Sequence, residues 1–348
     1  MNGGHWSVKT LGWVALLTVA LAGPMLIESP YQRSLLVLIG IYGLLAISYD
    51  IIVGFAGVIS FGHAGFFALG AYTLGLGTTR YGWSLALCLV VGALLGVLVS
   101  FMLGAISLRI SGHYFAVSTL AFAEIFRLCL QNFDGLTRGP LGLLIPPGSI
   151  ELIPGVTLDG EYMFHLLIWI TVVLSVYLMV RVKRSWLGWS FLALRENSEL
   201  ASAVGVFPLK IRLIAIAMSG ALGTVAGAYY GAYYGVLTPE VSAAKYSVIA
   251  LVIVMLGGRG TIAGPLLGAA VYVLLPEYLD LEGAWNEVVF GLVLVATLLL
   301  MPRGLASIGP RLLDLRTWLQ RRRGPGGVGM GVNDRERDAA GLTGGEKS

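Results

Sequence analysis

Residues 181–212 read RVKRSWLGWSFLALRENSELASAVGVFPLKIR, the longest polar interval between apolar runs that also carries structural mass. Trp186, Leu187, Trp189, Phe191, Leu192 and Leu194 supply that mass. Arg195, Glu196, Asn197, Ser198 and Glu199 follow as a hydrophilic block, before Ala201, Ala203, Val204, Gly205 and Pro208. A solvated linker has no use for two Trp and a Phe. The stretch therefore predicts a short helix lying at a membrane surface, stopped at Gly205 and Pro208, residue types that commonly end helices.

The membrane is implied by everything around it. Of 348 residues, 57% are apolar and 12% charged, against about 25% charged in an ordinary soluble domain. Mean hydropathy is +0.83. This is the composition of a polytopic membrane protein. The 48 glycines are about twice the usual share, and in a bilayer small residues let helices approach closely and mark broken helices. Cys88 and Cys129 lie inside apolar runs without CxxC or CxxH partners, so they predict small core residues, with no metal site and no disulfide framework. The net charge of +4 comes largely from one set of loops and the tail, and so reports topology.

Reading outward, Leu11 to Ile27 is an apolar run expected to be a retained span, with Ala20-Leu21-Ala22 offering a rival signal-peptide reading. Leu35 to Val53 is long enough at about 1.5 Å per residue to cross a core of about 30 Å. The next run, Gly54 to Thr73 (GFAGVISFGHAGFFALGAYT), is dense in glycine and interrupted by Ser60 and His63. Trp83 to Ile106, His113 to Gln131, Tyr162 to Val180 and Ile211 to Val236 are further spans. Asn132 to Glu161, with four prolines and mostly acidic charges, reads as an outside loop. Lys245 to Leu256 and Ile262 to Leu275 are short for spans and flank Gly257 to Pro265 (GGRGTIAGP), a break that lipid tolerates only where protein or a watery cavity surrounds it. Pro276 to Glu287 is acidic, and Val288 to Met301 is the last crossing. From Arg303 the chain turns basic and then becomes a Gly- and charge-rich tail expected to be largely disordered.

With the basic tail inside, counting back through about ten crossings puts 181–212 inside, 132–161 outside and the N-terminus inside, so the strongly basic stretches share one side. The expected architecture is an all-α integral membrane protein, a polytopic bundle of about ten transmembrane helices with glycine-broken helices and a cytoplasmic coupling helix. Its parts are a cytoplasmic N-terminus at 1–10, a transmembrane domain at 11–306 containing the loop 182–210, and a cytoplasmic tail at 307–348.

Few residues could carry chemistry. Asp50, Glu124 and Arg127 are the charges within spans, and His63, His113 and His165 can titrate. Glu124 and Arg127 are three apart, share a helix face and can pair, the plainer reading being a structural ion pair. His63 sits in the glycine-dense stretch, either as a polar contact on a translocation path or as a hydrogen-bonded packing residue. His113 and His165 lie near span ends, where interfacial water would satisfy them. HExxH, a GxSxG triad and GxxxxGK[ST] are all missing, which argues against an enzyme and against a nucleotide held by this chain; if ATP drives it, another subunit binds the ATP.

Glu199-Leu200-Ala201, three residues, Gly205 and then Pro208 resemble the EAA loop of ABC importer permeases, departing at Leu200 where the pattern has Ala. Trp186 to Val206 is similar to the cytoplasmic loop of the branched-chain amino-acid permeases of LivM/LivH type. Val53 to Thr73, Tyr114 to Arg127 (YFAVSTLAFAEIFR), Gly139 to Gly142 (GPLG) and Met255 to Ala269 (MLGGRGTIAGPLLGA) resemble the same family, nearer its LivM member, from about residue 35 to 305.

That resemblance implies a permease in a bacterial inner membrane, multi-pass with both termini cytoplasmic. It further implies a second related permease, two cytoplasmic ABC ATPases and a periplasmic binding protein as partners, with no cofactor in this chain and ATP held by the partner subunits. The coupling residues it implies are Trp186, Gly188, Arg195, Glu196, Glu199, Ala201 and Gly205. Gly54, Gly57, Ser60, Gly62, His63, Gly257, Gly258 and Gly260 would line or shape the pathway. The expected cargo is a branched-chain or related hydrophobic amino acid. Urea or short amides are the alternative within the class, and an ion-coupled secondary carrier, using Asp50, His63 or Glu124 for protons, is the alternative outside it.

Overall fold

The computed structural model describes residues 29–107, 113–146, 150–153, 156–157, 161–279, 291–292 and 304–307. The expected spans at 11–27 and 288–301 and the tail from 308 lie outside or almost wholly outside these residues. Ten helices carry the described architecture: α1 (Pro30–Asp50), α2 (His63–Tyr81), α3 (Leu85–Ser107), α4 (His113–Asn132), α5 (Glu161–Lys183), α6 (Trp186–Glu196), α7 (Ser198–Ala203), α8 (Pro208–Tyr234), α9 (Ala244–Gly257) and α10 (Gly264–Leu279).

Five of the described helical segments are long and apolar enough to cross a bilayer: 30–55, 85–104, 114–132, 162–183 and 208–234. The expected count of about ten is not reached by that measure. Helices α9 and α10, at 14 and 16 residues, are short, and α2 is diluted by glycine and polar residues. All three nevertheless pack into the bundle against α1, α8 or each other.

Helix α8 is the axis of the packing. It lies against α1, α2 and α3, presenting a buried face of small residues that includes Ser219, Gly220, Gly223, Thr224, Ala226 and Gly227. Lipid tails are as apolar as leucine, so helices in a bilayer associate through close backbone packing rather than through hydrophobic exclusion. The approach here is near its limit: a Cβ on Gly70 would overlap the Thr224 carbonyl, and one on Gly227 would overlap the Phe67 carbonyl.

Several expectations are corrected. The apolar stretch 54–73 is not one span. Helix α1 closes in a π turn at Ile51–Phe55, residues 56–62 are non-helical, and α2 starts at His63 and runs to Tyr81. The surface helix is two helices: Asn197 ends α6 and caps α7, its side-chain oxygen accepting from the amides of Glu199 (2.9 Å) and Leu200 (3.0 Å). Pro208 starts α8 instead of stopping its predecessor, because a proline's missing N–H and fixed φ suit the first turn of a helix. Pro276 lies inside α10, which runs past the expected end at Leu275 to Leu279. The 132–161 loop carries local order: Leu143–Leu144 pairs antiparallel with Val236–Leu237, tying it to the end of α8. Cys88 is buried as expected, but Cys129 is exposed, and His165 is buried.

The Asn197 cap gives a local prediction. Asn197→Ala removes both amide partners of α7, a loss of about 1 kcal/mol. Amides 199 and 200 are expected to exchange hydrogen roughly 5-fold faster, at RT of about 0.59 kcal/mol, as read by hydrogen exchange in detergent, with α8 unchanged.

Candidate functional site

The first break, 56–62, is held by hydroxyls from three separate helices. Thr119 Oγ1 on α4 accepts from the Phe61 amide at 3.1 Å. Ser247 Oγ on α9 donates to the Phe61 carbonyl at 2.7 Å and accepts from the Ala64 amide at 2.8 Å. Tyr49 on α1 donates to the Ser60 carbonyl at 2.9 Å, and Ser60 Oγ accepts from the Gly62 amide at 3.3 Å. Non-helical backbone at membrane depth survives only where such partners are supplied. Thr119 and Ser247 were missed as site residues; their signal was a hydroxyl placed inside an expected span.

His63 is fully enclosed. Its Nε2 lies 2.7 Å from Ser48 Oγ, its ring stands edge-on to Tyr49 and Phe66, and Gly223 leaves the room it occupies on α8. Gly62 in turn permits close contact with Thr119 and Phe122 of α4.

The second break joins α9 to α10. Gly258 (φ 111°) and Gly260 (φ 69°) take backbone conformations that side chains disfavour. Thr261 Oγ1 stitches the turn, donating to the Gly258 carbonyl at 2.7 Å and accepting from the Gly264 amide at 3.0 Å. Gly257 and Gly268 let the two short helices touch backbone to backbone, since a Cβ on either would strike a carbonyl of the opposing segment.

The two breaks meet, and the surface segment meets both. Asp50, at the end of α1, is buried, and its Oδ1 accepts from the Gly260 amide at 2.8 Å. Arg195, on α6, donates through Nη1 to the Gly54 carbonyl at 2.7 Å. Lys183, at the end of α5, donates to the Gly260 carbonyl at 3.3 Å and sits over the Phe55 ring. Gly57 (φ 71°) lies directly against the Arg195 side chain. Asp50 also lines a cavity of about 10 Å³, near the room one water needs, with Ile47, Val176, Met179, Thr261, Ile262 and Pro265. Residues 210 and 141 positions apart are thereby clasped at one end of the bundle. Asp50 and Lys183 had not been placed in the site by sequence reasoning.

The remaining surface-segment residues fall on two sides. Gly188 packs against the end of α5, where a Cβ would meet the Val182 and Lys183 carbonyls, and Ser190, Phe191, Leu194 and Ala201 are buried beside it. Trp186, Trp189, Leu200, Val204 and Phe207 are exposed, as are Glu196 and Glu199. Glu196 pairs with Arg195 at 3.2 Å. Gly205 takes φ 88° with open space where a Cβ would be. The result is a two-helix bracket, anchored on one side to the bundle and showing an apolar, acid-edged surface on the other.

Elsewhere, the anticipated Glu124–Arg127 pair forms, with Arg127 Nε 3.0 Å from both Glu124 oxygens. Arg127 also reaches Glu240 at 3.0 Å. Among the described residues no group of His, Cys, Asp and Glu could hold a metal ion.

A family profile described as "Branched-chain amino acid transport system / permease component" matches residues 32–298. The high-affinity branched-chain amino acid transport system permease protein LivM of Escherichia coli K12 is 31% identical over 255 residues, 65% of this chain. The matched region spans 58% of that relative's length. The corresponding LivH protein is 26% identical over 287 residues, 76% of this chain and 90% of its own. A probable branched-chain amino acid transport permease protein LivM of Methanocaldococcus jannaschii is 24% identical over 228 residues, 55% of this chain and 64% of its own. No solved structure matches.

Proposed function

The chain belongs to the LivM/LivH-type branched-chain amino-acid ABC permease family, and from that membership we propose that it is the transmembrane subunit of an ATP-driven importer. With a second, related permease it forms a pathway for branched-chain or related hydrophobic amino acids in a bacterial inner membrane. Two cytoplasmic ATPases bind the ATP, and a periplasmic binding protein delivers the cargo. The chain itself is a conduit and performs no catalysis.

The observation that carries this reading is the clasp of Arg195 on the Gly54 carbonyl. The α6–α7 bracket shows an exposed apolar face suited to an ATPase groove, while its buried side ends on the backbone of the first break. Motion imposed on the bracket by closing ATPases is delivered through Arg195 to Gly54 and, through Asp50 and the Gly260 amide, to the second break. In this reading Gly54, Gly57, Gly62, Gly257, Gly258 and Gly260 let the breaks change shape, and Ser60 and His63 hold the first one in register. ATP acts by favouring one arrangement of the bracket over the other, since a ligand or partner shifts such an equilibrium only by its differential affinity for the two states.

The test is uptake by the reconstituted assembly. Vesicles containing this chain, the second permease and the ATPases are expected to accumulate leucine only with ATP inside and binding protein outside. Accumulation that ignores ATP and collapses with the proton gradient would overturn the importer in favour of a secondary carrier. Urea transported in place of leucine would move the cargo within the class. One substitution addresses the bracket directly. Gly205→Asp places a side chain at φ 88°, a strain of about 1–2 kcal/mol, without a clash. It is expected to cut uptake roughly 10-fold, an equilibrium change of about 1.4 kcal/mol, with unchanged protein in the membrane by immunoblot. Undiminished uptake counts against the bracket's role.

A further inference from the structure

Helix α4 carries ionised groups on a face that this chain leaves open. Its span, 114–132, is 22% buried in this chain, and Val117, Ala121, Glu124, Ile125 and Leu128 are exposed along it. At about 1.5 Å per residue, Glu124 lies about 12 Å from the Asn132 end, in the middle of the helix. The Glu124 side chain is 48% exposed and Glu240 59%, and charged groups in spans face a watery cavity or a protein interior. Glu240 comes from the short turn Pro239–Ser242, fixed to α4 where Ser242 Oγ donates to the Ala123 carbonyl at 3.0 Å. The cluster is built jointly by two segments 113 residues apart.

Its hydrogen-bonding capacity is one-sided. Arg127 spends Nε and Nη2 on Glu124 and Nη1 on Glu240. Each carboxylate has room for about four hydrogen bonds, and Glu240 is engaged through Oε1. One guanidinium between two carboxylates leaves a net negative charge and spare acceptors. That is a receiver for a cationic donor and a poor one for an anion.

We propose that the open face of α4 is a water-filled wall of the translocation pathway, and that the Glu124–Arg127–Glu240 cluster receives the ammonium group of an amino acid passing it. The identity of the cargo rests on the importer reading above; the water and the charge preference do not. The carboxylate oxygens accept hydrogen bonds from the ammonium while Ile125 and Leu128, on the same face, meet the aliphatic side chain.

The test introduces Ala121→Cys, one turn from Glu124, into the assembled transporter with Cys88→Ala and Cys129→Ala. In membrane vesicles it compares a cationic and an anionic methanethiosulfonate, each normalised to its rate with a free thiol. These reagents need a thiolate, which requires water. The cationic reagent is expected to react about 10-fold faster, the lower range of electrostatic focusing in a charged cleft. Glu240→Gln should remove most of that preference and Glu240→Asp should keep it. Failure of both reagents, as lipid or a packed partner would cause, overturns the wall. A rate ratio that Glu240→Gln leaves unchanged overturns the charge assignment. Leucine uptake at saturation by Glu240→Gln equal to that of the unaltered assembly overturns the ammonium role. Absence of uptake by the unaltered assembly tells against the importer reading alone, since the labelling rates need no transport.

Discussion

Arg195→Gln is expected to leave the transporter assembled and hydrolysing ATP while uptake falls by about 10- to 100-fold. Arg195 makes a charge-assisted hydrogen bond to the Gly54 carbonyl at 2.7 Å, worth about 1.5–3 kcal/mol, and at about 1.4 kcal/mol per factor of ten that is the stated loss. The bond joins the surface bracket to the first break, so its removal separates the two without touching the face that would dock an ATPase. The measurement is the ratio of leucine taken up to ATP consumed in proteoliposomes. A fall in both rates together would point to misassembly instead. Arg195→Lys tests the mechanism more finely. A lysine keeps one donor for Gly54 but loses the planar fork that also meets Glu196 at 3.2 Å, and it is expected to restore part of the ratio.

Gly227→Val is expected to have the largest effect on the protein itself, removing most folded material from the membrane. A Cβ there would overlap the Phe67 carbonyl at the crossing of α2 and α8. Overpacking ordinarily costs about 1–3 kcal/mol because side chains yield, but here the obstacle is backbone, and relief requires the two helices to separate. Thr224 and Gly70 make a second such contact one turn away, so separation loses both. Folded yield by size-exclusion chromatography after solubilisation checks this. The control is Gly291→Ala, where a Cβ meets nothing within 4 Å among the described residues, and which is expected to behave as the unaltered protein.

The sequence conveyed where polarity interrupts hydrophobicity, and those interruptions proved to be structural. Residues 181–212 and 257–265 both stand out against apolar neighbours, and both are places where the helices bend, break or leave the bundle. The Glu124–Arg127 pair was legible because three residues along a helix is a fixed geometry. Boundaries were not legible to the same degree. Pro208 is chemically able to end one helix or begin the next, and composition does not distinguish the two. Residues 54–73 read as one apolar run because hydropathy sums side chains and is blind to whether the backbone is helical. Asn197 carried a signal that was passed over: an Asn two residues before Glu199, in a polar block, is a helix cap as readily as a surface residue.

Membrane residence and the positions of the second break and of the surface segment follow from the sequence by itself, because each depends on composition summed over neighbouring residues, whereas the first break was hidden inside the apolar run 54–73. Which polar groups meet was decided only by tertiary structure. Asp50 with the Gly260 amide, Arg195 with the Gly54 carbonyl and Ser247 with the first break join residues 141 to 210 positions apart. The physical reason is that buried backbone polar groups must find partners in a medium without water. The nearest donor in space is set by how closely the glycine faces of α2, α3 and α8 let the helices pack.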